Sequence, residues 1–145
     1  MAKWFEASVR YMKSMEDGSE KEVTDKYMVE DETISCAEKR IVEEVAPYIH
    51  GDFEVESMTG KKIAEVNAES CGDVWYRAKV MYITIDEKSG KEKKSANIFM
   101  VLAGGFEEAF TKLNAMMNGS MADWYIAALQ ETPIVDVFTL NTNKE

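Results

Sequence analysis

The sequence predicts an α+β fold: two pseudo-repeats of a strand–strand–helix–strand(–strand) unit, mostly antiparallel sheet with two amphipathic helices. Three observations predict it. Trp4, Ala7, Val9 and Tyr11 return as Trp75, Ala78, Val80 and Tyr82 at an offset of 71 (Trp4 to Trp75). Both segments alternate apolar and polar residues, the period of a half-buried strand. Each is followed, after a glycine-containing turn and a second apolar stretch, by apolar residues at helical spacing.

In the first unit, Phe5, Ala7, Val9 and Tyr11 share one face of a strand, and Glu6, Ser8 and Arg10 the other. Glu16-Asp17-Gly18-Ser19 supplies a turn, and residues 23–29 form the return strand. Ser35 and Glu38 fit a capping box at a helix start, in which each side chain satisfies an orphan backbone N–H. Ala37, Ile41, Val45 and Tyr48 continue that helix toward Gly51. Residues 53–58 read as a third strand and residues 61–66 as a short fourth.

The second unit repeats the order. Gly18 answers Gly90 and Tyr27-Met28-Val29 answers Phe99-Met100-Val101, both at an offset of 72 (Gly18 to Gly90). Phe106, Ala109, Phe110, Leu113, Met116 and Met117 form an apolar stripe that Gly119 ends. Asp52-Phe53 answers Asp123-Trp124, and Ile63-Ala64-Glu65-Val66 answers Ile134-Val135-Asp136-Val137, with the offset back at 71 (Phe53 to Trp124). The changes of offset fall in turns, where changes of length are tolerated. The repeat also decides residues 124–129: their composition favours helix, but their partner segment is a strand, so a strand is expected. One domain spanning residues 1–145 follows, with pseudo-repeats at 2–70 and 73–140. The two units form either one continuous sheet or two facing sheets.

Composition narrows the function classes. Hydrophobic residues at 46% and aromatics at 10% argue for a packed core and against disorder. Seventeen Lys+Arg against 27 Asp+Glu give a net charge of -10, a field that repels phosphate backbones and acidic membranes while suiting basic partners. Nucleic acid is thereby disfavoured as a partner, and a protein partner or homodimer is left open. The longest apolar run, residues 98–103, is too short to cross a bilayer, and the N-terminus lacks an apolar signal-peptide core. Two cysteines, Cys36 and Cys71, and no CxxC motif suit a reduced, cytoplasmic protein. No cofactor or metal motif is present in the sequence.

Each candidate site stands beside a plainer explanation. Cys36 lies in a helix first turn, where a thiol is activated, but a nucleophile also needs a base. The sole histidine, His50, lies at the far end of the helix, about 20 Å away. A small buried thiol explains Cys36 better. Gly104-Gly105 before the second helix resembles an anion cradle, yet Glu107 and Glu108 would oppose a phosphate and no P-loop lysine follows. Lys88, Lys91, Lys93 and Lys94 cluster at the second hairpin as a weak candidate contact for an anion or nucleic acid. Asp86, Glu87 and Glu92 interleave with them, and edge lysines also discourage strand pairing. Trp4, Trp75, Met81 and Ile83 lie on the face opposite Phe5-Ala7-Val9 and its copy; that face is a candidate interface or core between sheets. Glu65 and Asp136 are repeat mates and better explained as solvated strand residues than as an acid/base couple.

Several stretches resemble one family: Tyr27-Met28-Val29, the helix start at residues 33–38, the hairpin at residues 86–93, Met121-Ala122-Asp123, and residues 131–137. They are similar to a domain-of-unknown-function family of proteins about this long, found in Bacteroidetes and their phages or mobile elements. The resemblance covers nearly the whole chain and implies a cytoplasmic bacterial or phage protein with no assigned activity. In that family an acidic residue is usual where Cys36 stands, and the departure here weakens a catalytic role for that thiol. The expected function is a non-enzymatic binding or accessory protein. The alternatives are a nucleic-acid-associated protein using the second hairpin and, last, a small enzyme with a carboxylate site at the repeat junction.

Overall fold

The computed structural model describes residues 3–69 and 72–140. Cys71 lies outside them, and with it the question of a disulfide to Cys36. The elements run β1 (Lys3–Ser14), β2 (Glu20–Asp31), α1 (Ile34–Val45), a 3-10 turn (Ala46–Tyr48), β3 (Phe53–Lys61), β4 (Glu65–Asn67), β5 (Val74–Ile85), β6 (Glu92–Ala103), α2 (Phe106–Met117), β7 (Asp123–Glu131) and β8 (Ile134–Phe138). This is the predicted α+β order, repeated. Residues 124–129 are strand, as the repeat requires, because their edge position in a sheet outweighs local helix propensity.

The strands form two separate four-stranded sheets, ordered β3-β1-β2-β8 and β4-β6-β5-β7. In both, a long antiparallel hairpin forms the centre, β1 with β2 and β5 with β6. The strand after each helix returns antiparallel to the hairpin's first strand, β3 on β1 and β7 on β5. Both of those pairings carry a register shift at the equivalent place, between Ser8 and Val9 and between Lys79 and Val80.

The outer strands depart from the sequence expectation. The chain divides into two compact units, Met1–Lys61 with Pro133–Glu145, and Lys62–Thr132. The strand following the first repeat, β4, pairs parallel to β6 of the second unit. The strand following the second repeat, β8, pairs parallel to β2 of the first. Each short strand thus completes the other repeat's sheet. Residues 61–66 are accordingly not one strand: Lys61 ends β3, and only Glu65–Asn67 pairs again. Phe138 shows what β8 contributes, stacking on Tyr27 with ring centroids 5.8 Å apart.

Each unit packs one helix on one face of its sheet. In the first, Ala7, Val9 and Tyr27 meet Ile41 and Val45 of α1. In the second, Tyr76, Ala78, Val80, Phe99 and Val101 meet Ala109, Leu113 and Met117 of α2. Ile41 and Leu113 are fully buried, and burying one such side chain stabilises by about 1.5–3 kcal/mol. Phe106 and Phe110, expected in the α2 stripe, are half exposed instead, because they sit at its margin.

The caps also differ from expectation. Thr33, not Ser35, is the N-cap of α1, and its Oγ1 accepts from the Cys36 N–H at 3.1 Å. The expected Ser35–Glu38 box does not form, because the helix begins one residue after Thr33. Cys36 is exposed rather than buried. At α2 the N-cap is Gly105, and Glu108 Oε1 accepts from the Gly104 N–H at 2.8 Å. The carboxylate therefore takes the position an anion would occupy on that glycine turn.

A cation on each helix ties down the exchanged strand of its own unit. Arg40 of α1 donates to the carbonyls of Glu30, at 2.8 Å, and Thr139, just past β8. Its repeat mate at an offset of 72, Lys112 of α2, donates to the carbonyl of Glu69, just past β4.

Candidate functional site

Register decides which side chains share a face. Tyr76, Ala78 and Val80 of β5 point at α2, so Trp75, Arg77, Lys79, Met81, Ile83 and Ile85 point the other way. Across β6, Ile83 stands opposite Lys94 and Met81 opposite Ala96. Across β7, Met81 stands opposite Tyr125 and Ile83 opposite Asp123. Lys94 Nζ lies 5.6 Å from the centre of the Tyr125 ring, a cation–π contact reaching over β5.

Exposure of the apolar residues along this helix-free face rises from one end to the other, with the cations Arg77 and Lys79 exposed between them. Trp75 is 4% exposed, and its neighbour Met100 is buried as well. Met81 and Ile83 are half-buried. Ile85 is 69% exposed and Tyr125 40%. Met121, two residues before β7, is fully exposed. The outer end of the sheet thus carries an apolar surface of Ile83, Ile85 and Tyr125, with Lys94 laid across it.

The sequence-predicted site residues separate accordingly. Trp75 is core, and Trp4 is half-buried on the corresponding face of the first sheet. Met81 and Ile83 lead into the exposed end. The four lysines do not form one surface. Lys94 shares the face of Ile83, while Lys93, opposite Thr84, points to the helix side. Lys88 and Lys91 belong to the turn, where Asp86 Oδ1 accepts from the Lys88 N–H at 2.9 Å and Asp86 O accepts from Gly90 at 2.7 Å. Gly90 takes a positive φ of 70°, which closes this turn. All four lysines are exposed. Glu65 and Asp136 are exposed strand residues.

The same place in the first unit is built differently. Arg10 stands where Met81 does and Glu54 where Tyr125 does, both at an offset of 71 (Arg10 to Met81), and Glu22 where Lys94 does, at 72 (Glu22 to Lys94). Arg10 lies 2.6 Å from Glu54, 3.5 Å from Glu22 and 3.6 Å from Glu56. The Glu54 hydrogen bond, with the charges of Glu54, Glu22 and Glu56, raises the guanidinium above its usual value. Tyr11 donates to Asp25 at 2.9 Å, and its phenol is raised by burial and by that carboxylate. A self-satisfied ionic cluster in one unit is thus replaced by an open apolar–cationic surface in the other. Sequence reasoning did not single out Tyr125; the signal was its repeat alignment with a glutamate, an aromatic standing where a charge stood.

Among the described residues, no group of three or more His, Cys, Asp or Glu is placed to hold a metal ion. No helix among them is long and apolar enough to cross a membrane. No curated protein and no solved structure matches this chain. One family model does match, over residues 3–140, which is nearly the whole chain and both repeats. The chain therefore belongs to the family described as Domain of unknown function (DUF4494).

Proposed function

We propose that this chain is a non-enzymatic binding or accessory protein that docks a partner on the outer end of its second sheet, around Ile83, Ile85 and Tyr125. The observation that carries the reading is the divergence between repeats at one position. Where the first unit closes its surface with Arg10 and three carboxylates, the second presents Met81, Tyr125 and Lys94, with Ile85 69% exposed beside them. Exposed apolar clusters with a polar rim are the usual mark of an interaction site. A cytoplasmic setting and a bacterial, phage or mobile-element origin belong to the same reading and rest on the family resemblance.

The test is a photo-crosslinking residue placed at Ile85, with a control at Tyr48, which is 84% exposed in the other unit. A discrete crosslinked product from Ile85 in living cells, missing from Tyr48, is expected. Indistinguishable labelling from the two positions would remove the reading.

The second reading is nucleic-acid association through the hairpin. It is supported by Lys88, Lys91, Lys93 and Lys94, all exposed and without an ion pair among the described residues. Salt-dependent binding of a single-stranded oligonucleotide that disappears on replacing the four lysines by alanine would favour it.

A further inference from the structure

We infer that the partner on this surface is an extended protein segment that adds to the second sheet as a fifth strand along β7, apolar in its centre and carrying Lys or Arg at its ends. The inference rests on the docking reading above and names its mode and its partner.

β7 is an edge strand of nine residues. Among the described residues no strand pairs with its outer side, so its outward N–H and C=O groups are a template for another chain. Proteins usually guard such edges with lysine, proline or charge along the strand. The equivalent edge of the first sheet is guarded: β3 carries Glu54, Glu56 and Lys61. β7 has no lysine, arginine or proline, and its residues 124–129 read Trp-Tyr-Ile-Ala-Ala-Leu. The register shift opposite Lys79 and Val80 leaves Ala127 as the extra residue, and residues 123–126 border the apolar surface. A strand added there would lay alternate side chains beside Tyr125, next to Ile83.

Charge selects the occupant. The only charges on β7 are Asp123 and Glu131, one at each end. A second copy paired antiparallel in full register would bring Asp123 of one chain to the level of Glu131 of the other at both ends, adding carboxylates with no cation on either β7 to offset them. A segment with cations at its ends complements the same two carboxylates, and a chain of net charge -10 attracts it over distance. The nearby cations do not reverse this: Asp86, Glu87 and Glu92 stand among the hairpin lysines, Lys94 is laid on Tyr125, and Arg77 and Lys79, exposed beside Gln130 and Ala128, lie at the far end of β7 from Asp123 and on the opposite face from Glu131.

The test pans a random nonapeptide phage library on the full chain, with the Ile85→Lys and Tyr125→Lys chains as counter-targets after their fold is checked by circular dichroism. The enriched peptides are then synthesised with alternate backbone nitrogens methylated. The expected result is apolar peptides with terminal Lys or Arg. Methylating one alternate set should weaken binding at least about tenfold and the other set little, because only every second residue of an added strand pairs with the edge. Peptides that lose binding to Ile85→Lys but tolerate both methylation patterns would overturn strand addition and leave the docking reading standing. Enriched peptides that bind the counter-targets equally well, or no enrichment, would overturn both. Displacement of the peptide by an oligothymidylate, or self-association abolished by Tyr125→Lys, would overturn the inference in favour of a nucleic acid or a second copy.

Discussion

Gly72→Ala should be among the most damaging single-methyl additions to this chain. A Cβ at Gly72 would lie 2.1 Å from the carbonyl carbon of Ala103, 2.2 Å from Gly104 N and 2.4 Å from Ala103 O. All three are backbone atoms, so no side-chain rotation relieves the overlap. Non-bonded carbon atoms rest about 3.5–4.0 Å apart, so the segments must separate by more than about 1 Å. Separation is resisted on both sides. Val74 begins β5 two residues later and pairs with Ala103 itself. Gly104 N is held by Glu108 at the start of α2. Overpacking of this kind costs about 1–3 kcal/mol and more when backbone must move, so a loss near 3 kcal/mol is expected. With a urea slope of about 2 kcal/mol/M, the unfolding midpoint falls by about 1.5 M at unchanged slope. Gly60→Ala is the matched control, since nothing lies within 4 Å of the added methyl. A Gly72→Ala midpoint within about 0.3 M of the Gly60→Ala midpoint would refute the reasoning.

Leu113→Ala, at a fully buried position under the second sheet, should cost about 2–5 kcal/mol in the same urea assay; a loss below 1 would mean that the site collapses freely. Arg40→Ala removes the donor to Glu30 O and Thr139 O, and should lower stability by about 1–2 kcal/mol; hydrogen exchange should quicken at β8 before it quickens at β7. The Tyr27 phenol is raised to about 12, first by burial and then by the charge of Asp25. An unfolded tyrosine titrates near 10, so the neutral phenol's contribution is fully present below pH 10 and is lost as pH rises from about 10 to about 12. Tyr27→Phe should flatten that part of the stability profile, and phenolate absorbance of the folded chain should show a late-titrating tyrosine that the variant lacks.

The amino-acid sequence carried the element order, because alternation and helical spacing are local signals. It also determined the repeat, and through it the strand at residues 124–129, where propensity alone pointed to helix. The helix-facing residues were legible for the same reason: Tyr76, Ala78 and Val80 recur at strand spacing and Leu113 lies on a clean stripe. Tertiary structure alone decided that β4 and β8 complete each other's repeats, since strands of three and five residues carry no local mark of their partner. It decided that Trp75 is core while Ile85, on the same face, is open, because burial depends on what lies over a residue and not on its type. It decided that Thr33 rather than Ser35 caps α1, a choice between good caps two residues apart made by where the chain leaves β2. And it decided that Lys94 lies over Tyr125, 31 positions apart in sequence (Lys94 to Tyr125), because only the register of β6, β5 and β7 brings a cation from one strand across a second to a ring on the third.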